Sequence, residues 1–237
     1  MTPSPDGLRD LERQAVLQQL SSPALPIGGF TYSQGLEAAV ELGLVHDEAS
    51  AGTWIEAQLN GVVADCEAPL WCLLFLAWTL RDTNDLRQWN EWFQASRETQ
   101  EIRQETEQMG RSLVRLIDEL AWGTDEQRAM LKALRPPTLP LAHSFACAAW
   151  EISALGGLSA YLFTWLENQV AAAIKSVPLG QTAGQRILDR LRRQLPILAT
   201  QAYARSQASP PALHTLAPQY GIVSSRHATQ FSRLFRS

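Results

Sequence analysis

The chain has 237 residues, 46% of them apolar and 19% charged, and its net charge is −4. This composition excludes a disordered chain, and the acidic balance excludes a surface that is one large nucleic-acid footprint. Seven arginines and no acidic residue lie from Arg190 to Ser237, so the preceding 189 residues carry −11 and a basic segment ends an acidic body. Such a distribution marks a docking segment or a solvated last helix.

Residues 1–14 are polar and charged, so no secretory leader is expected. From Leu8 the spacing predicts a helix with Leu8, Leu11, Ala15 and Leu20 on one side. The stretch SPALPIGGFTYSQGLE, residues 22–37, interrupts it. A phosphate loop would place a lysine and a hydroxyl residue after its glycines, but no Lys or Arg occurs between Arg13 and Arg81, and no strand precedes the glycines. The stretch therefore predicts a shaped turn. Pro26, Gly28 and Gly29 redirect the chain, and Thr31 caps the next helix with Gln34 in a Thr-x-x-Gln box.

Two later runs are apolar enough to mimic membrane spans, residues 62–80 and 158–174. The first contains Asp65, Glu67 and Pro69, and the second Glu167, Asn168 and Gln169. Charges near the centre of a span cost several kcal/mol, so both runs predict buried core helices and no membrane partner. Between them, residues 100–120 place Ile102, Met109, Leu113, Leu116, Ile117 and Leu120 on one stripe of an amphipathic helix. The segment KSVPLGQTAGQRIL, residues 175–188, repeats the turn grammar: Pro178 and Gly180 end a helix, and Thr182 with Gln185 forms a second Thr-x-x-Gln box. Lys175 is one of only two lysines, with Lys132. At a helix end it would gain about 0.3–1 kcal/mol from the dipole, which is reason enough for its presence.

Breaks at 21–30, 43–48, 82–85, 122–125, 135–140, 156–157, 178–182 and 208–211 divide the chain into about nine or ten helices. No segment alternates long enough for a strand, and no break is long enough for a domain linker. The fold class is all-α, a single-domain bundle over residues 1–237 with a basic docking segment at 226–237.

Catalytic and metal spacings are missing. His46, His143, His214 and His227 are scattered without HxxxH spacing, and Cys66, Cys72 and Cys147 sit in apolar helical patterns without CxxC. The cysteines predict buried thiols in a reducing compartment, and no metal site is expected. The end of the chain interleaves Arg226, Arg233 and Arg236 with Phe231, Leu234 and Phe235. Apolar anchors among arginines suit a protein interface better than single-stranded nucleic acid on a chain of this charge.

Three segments, residues 22–37, 161–188 and 225–237, closely resemble the urease accessory protein UreF family, in that family's order. Residues 96–116 share the likeness, which covers nearly the whole chain. The resemblance implies an all-helical, cytoplasmic homodimer that is not an enzyme. Its implied partners are the accessory protein UreD/UreH, the GTPase UreG and apo-urease. Nickel and GTP act through those partners, with no cofactor held stably by the chain itself. The resemblance implies a GTPase-facing surface of Tyr32, Gln34, Glu37, Glu167, Gln169, Lys175 and Gln181. It implies a UreD/UreH-facing tail of Arg226, His227, Phe231, Ser232, Arg233, Leu234, Phe235 and Arg236. The alternative from the residues alone is an all-helical cytosolic enzyme that pairs Glu37 or Glu167 with a histidine in a pocket.

Overall fold

The structure is a computed structural model, and it describes residues 4–215 together with Leu234 and Phe235. Among the described residues there are eleven α-helices and no strand. They are α1 (Pro5–Leu20), α2 (Leu36–Glu41), α3 (Glu48–Gln58), α4 (Ala68–Leu80), α5 (Thr83–Ala95), α6 (Gln100–Glu119), α7 (Asp125–Ala133), α8 (Leu139–Ala149), α9 (Ala154–Ser176), α10 (Gln181–Arg192) and α11 (Leu195–Ser206). A nine-residue π-helical segment, Leu59–Glu67, joins α3 to α4. The three run as one rod from Glu48 to Leu80, so ten separate helical rods stand where nine or ten were expected.

The rod is long and apolar enough to cross a membrane by length and composition, yet two-thirds of its most apolar window is buried inside the protein. α4 is apolar on all sides because α5, α8, α9 and α11 surround it. Trp71 on α4 and Phe145 on α8 are among the fully buried side chains there. The π segment has a local cause in Pro69, which has no N–H to give the carbonyl of Asp65. The N–H of His214 donates to that oxygen instead, at 2.9 Å. Arg205 supports it by donating to the Ala64 carbonyl at 3.3 Å and pairing with the Asp65 carboxylate. The chain after α11 is thereby tied to the core rod.

Several expected boundaries moved. Gly156 and Gly157 lie within the first turn of α9, and the break falls earlier, where Ser153 accepts the N–H of Gly156 at 3.2 Å. A Cβ on Gly157 would lie 2.8 Å from both Cys147 Sγ and Trp71 Cη2, so this glycine serves close helix packing and not chain reversal. Breaks also fall at Ser96–Thr99, where no glycine or proline marks them, and at Arg193–Gln194, just before Pro196 in the first turn of α11. In α1 only Val16 and Leu20 are buried, whereas Leu8 and Leu11 are exposed. Most of the α6 stripe is as expected, with Ile102, Met109, Leu113 and Ile117 buried against α8 and its neighbours, but Leu116 is half-buried and Leu120, just past the end of the helix, is 44% exposed.

Candidate functional site

The turn between α1 and α2 is built by backbone conformation. Gly28 takes φ +81°, a left-handed value that side-chain-bearing residues rarely adopt. A 3₁₀ turn over Gly29–Thr31 follows, and Thr31 Oγ1 donates back to the Gly28 carbonyl at 2.8 Å. Gln34 and Gly35 are then both left-handed, at φ +50° and +80°, and α2 starts only at Leu36. The expected Thr31–Gln34 capping box does not form, because these two left-handed residues delay the helix. The second expected box is absent for a related reason. α10 starts at Gln181 behind Gly180, which places Thr182 inside the first turn and not before it.

The strained backbone at Gln34 turns its side chain inward. Its Oε1 accepts from Trp165 Nε1 at 2.7 Å and from Gln169 Nε2 at 3.4 Å, while its Nε2 donates to Glu105 Oε1 at 2.6 Å. Trp165 and Gln169 belong to α9 and Glu105 to α6, so one glutamine joins the turn to two helices. Beneath it lies a cavity of about 50 Å³, lined in part by Gln34, Glu67, Arg97, Glu105, Tyr161 and Gln169. Arg97 pairs there with Glu67 at 3.5 Å, and Tyr161 donates to the same carboxylate. Arg97 Nε, His143 Nε2 and Gln169 Oε1 are buried with no hydrogen-bond partner among the described residues. Unpaired polar groups cost about 1–3 kcal/mol each, and natural proteins concentrate such costs at functional sites.

Glu37, on the first turn of α2, reaches the end of the chain. Its Oε1 accepts the backbone N–H of Leu234 at 2.7 Å, and its Oε2 accepts that of Phe235 at 3.2 Å. The Phe235 ring is buried, at 6% exposure, whereas Leu234 stays 72% exposed. Lys175, in the last turn of α9, sets its Nζ 5.7 Å from the centroids of both the Phe235 and Phe30 rings. Phe30, Thr31, Lys175, Leu234 and Phe235 line a surface concavity of about 460 Å³. Two sets of residues expected to face different partners therefore meet in one place.

The remaining candidates are spread around this site. Tyr32 and Gln169 are buried, at 7% and 2% exposure, and Gln34 is half-buried, so these three support the surface from behind. Glu167 is half-buried, and burial pushes its carboxyl above the usual range. Lys175 and Gln181 are exposed. Arg226, His227, Phe231, Ser232, Arg233 and Arg236 lie outside the described residues. Phe30 was missed by sequence reasoning, although its place beside the double glycine was a usable signal for an outward aromatic ring.

The pairing that an enzyme would need is not built around Glu37 or His143. Glu37 holds backbone amides, and His143 Nδ1 accepts from Trp71 Nε1 at 3.1 Å in the interior. Burial pushes the thiols of Cys66 and Cys72 up to about 11 and 12 and raises that of Cys147 further, so all three stay protonated and are poor metal ligands. Among the described residues no three His, Cys, Asp or Glu side chains converge on one point.

A family model described as UreF matches residues 45–192. The chain is 67% identical over 218 residues to a urease accessory protein UreF of Bordetella parapertussis, covering 92% of this chain and 99% of that protein. It is 55% identical over 221 residues to a urease accessory protein UreF of Cupriavidus metallidurans, covering 93% and 96%. To a bifunctional urease accessory protein UreEF of Bordetella bronchiseptica it is 65% identical over 237 residues, all of this chain and 54% of that longer protein.

Proposed function

Because the chain belongs to the UreF family of urease accessory proteins, we propose that it is a non-enzymatic scaffold which bridges UreD/UreH to the GTPase UreG during nickel insertion into apo-urease. In this reading the protein works in the cytoplasm as a homodimer. Nickel and GTP are handled by its partners. Its own contribution is to position the GTPase and gate nickel release.

The observation that carries the reading is the clasp of Glu37 on Leu234 and Phe235 beside Lys175. It supports one continuous surface in which the end of the tail shapes the face that Lys175 presents. A partner that engages the tail then alters the GTPase-facing surface through contacts already made, with no long relay. Phe235 serves this surface from within, and exposed Leu234 and Phe30 supply apolar contact area.

The test is co-purification with UreD/UreH, UreG and apo-urease, omitting each in turn, using the parent chain and the Glu37→Ala and Lys175→Ala variants. The parent is expected to recruit UreG only when UreD/UreH is present, and both variants are expected to lose UreG. Recruitment of UreG at parental level by both variants would overturn the reading of this surface. Turnover of a substrate by the isolated protein would overturn the scaffold role.

A further inference from the structure

A second concave surface lies away from the turn, between α6 and α7. Arg111, Val114, Arg115 and Asp118 stand at i, i+3, i+4 and i+7 on α6 and share one face. Leu131 and Lys132 face them from the end of α7, and Arg135, Pro136 and Pro137 close one end. The groove holds about 630 Å³. Leu131 and Pro137 in its floor are buried, Val114 and Pro136 are half-buried, and the four cationic residues are exposed.

The charge of this groove runs against that of the body. The first 189 residues carry thirteen basic groups against twenty-four acidic ones, yet four of the thirteen line this one groove against a single carboxylate. That carboxylate, Asp118, is occupied by Lys132 at 2.9 Å and lies 3.7 Å from Arg128 Nε. Arg111 has Glu107 at 3.4 Å. The Arg135 Nε donates to the Lys132 carbonyl at 2.8 Å, and its two terminal nitrogens have no hydrogen bond among the described residues. The Arg115 guanidinium has no hydrogen bond or ion pair among the described residues. A concave surface with two unneutralised guanidiniums focuses positive potential.

We propose that this groove docks an acidic segment of a partner protein, with an apolar side chain of that segment seated on Val114 and Pro136. Arginine forks match carboxylates in pairs, and three of the four cations are arginines. Among the described residues no aromatic side chain lines the groove, so they offer no platform on which a nucleic-acid base could stack. Its donors are spaced side chains on long stems and not a cradle of backbone N–H groups. That arrangement suits carboxylates strung along a peptide better than one compact phosphate. The surface is separate from the Lys175 site, so the proposal does not depend on the bridging function.

Fluorescence anisotropy of the full chain with a fluorescein-labelled peptide EELEELEE tests this, with KKLKKLKK and an oligothymidine of similar length as competing probes. The acidic peptide is expected to bind at low salt and to be released at high salt. The Arg111→Glu/Arg115→Glu variant should weaken it by about tenfold or more. A control variant of equal charge change, Arg9→Glu/Arg87→Glu, alters exposed arginines elsewhere and should keep the parental affinity. Arg115→Ala and Arg135→Ala, which add no new charge, should each weaken binding by about threefold and guard against misfolding of the double variant. Absence of peptide binding, equal loss in both double variants, or tighter binding of the oligothymidine than of the acidic peptide would each overturn the proposal.

Discussion

Glu37 and Phe235 stand 198 residues apart in the chain and are joined by a hydrogen bond of 3.2 Å from the Phe235 backbone N–H to the carboxylate. The same carboxylate accepts from Leu234 at 2.7 Å. A charged acceptor serving two backbone donors is worth more than a neutral one, about 1.5–3 kcal/mol per bond against about 1. Glu37→Gln should therefore weaken the clasp without emptying the space, and Glu37→Ala should release it. Hydrogen exchange at the amides of Leu234 and Phe235 reads this directly. Faster exchange in the order parent, Gln, Ala is expected, and identical exchange in all three would mean that the clasp does not hold the tail in solution.

Lys175→Ala removes a charge from the last turn of α9 and a cation placed near two rings. At an exposed helix end this costs about 0.3–1 kcal/mol. The melting temperature should fall by no more than about 4 °C for a chain of this size. If Lys175 faces UreG as proposed, recruitment of UreG should fall far more than stability does. Lys175→Arg keeps the charge and the reach towards Phe30 and Phe235, and it should restore much of the recruitment. A variant whose recruitment loss tracks its stability loss would reduce Lys175 to a helix-end charge.

His143 sets a pH dependence. Burial pushes its imidazole down to about 3, against 6.5 in the unfolded chain, so the folded state holds it neutral. Between those values the unfolded chain binds a proton that the fold does not. The contribution to stability is therefore complete above about pH 6.5 and is lost as the pH falls towards 3, at about 1.4 kcal/mol per unit. Urea midpoints should show a loss of about 2 kcal/mol between pH 7 and pH 5 that His143→Gln lacks. An equal slope in the variant would assign the acid sensitivity to other groups.

Two glycines on helices should respond in opposite ways. A Cβ on Gly110 would meet the Pro137 carbonyl oxygen at 2.3 Å and the Thr138 carbonyl carbon at 2.6 Å, both backbone atoms that cannot swing aside. Gly110→Ala should cost about 1–3 kcal/mol or more. Gly61, in the π segment, has nothing within 4 Å of that position, and Gly61→Ala should gain about 0.5–1 kcal/mol by restricting the unfolded chain. Chemical denaturation of the two variants gives both signs. Equal effects would mean that the π segment needs glycine for its own geometry.

Helix class and periodicity were legible because they follow from spacing alone. The α6 stripe needed only its 3.6-residue repeat, whereas the capping boxes that do form, Asp47 with Ser50 and Thr124 with Gln127, were not the ones singled out from the sequence. The expected boxes at Thr31 and Thr182 failed because composition does not reveal left-handed backbone at Gln34 and Gly35 or a helix that starts two residues early. Tyr32, Gln34 and Gln169 could be picked out by resemblance, but not their inward direction, which depends on contacts with α6 and α9. The clasp at Glu37 was the least legible feature. It joins residues from opposite ends of the chain through backbone donors, which carry no side-chain signal.

The tail itself allows the sharpest test. An anchor reserved for a partner would leave the free protein's melting temperature unchanged when removed. The Phe235 ring, however, is 6% exposed and joins the buried apolar cluster of the body. Burying such a ring stabilises by about 1.5–3 kcal/mol, so Phe235→Ala should lower the melting temperature by several degrees while the bundle stays folded. Leu234, at 72% exposure, contributes little to the fold, and Leu234→Ala should leave the melting temperature alone. If the tail is the UreD/UreH contact, Leu234→Ala should still reduce capture of UreD/UreH in a pull-down. Deletion of residues 226–237 should combine the two effects: a modest loss of stability, loss of UreD/UreH capture and, through it, loss of UreG recruitment and urease activation. Parental capture by the truncated chain would remove the tail from the UreD/UreH interface. Wholesale unfolding on truncation would show that Phe235 closes the core, and capture would then have to be judged on Leu234→Ala alone.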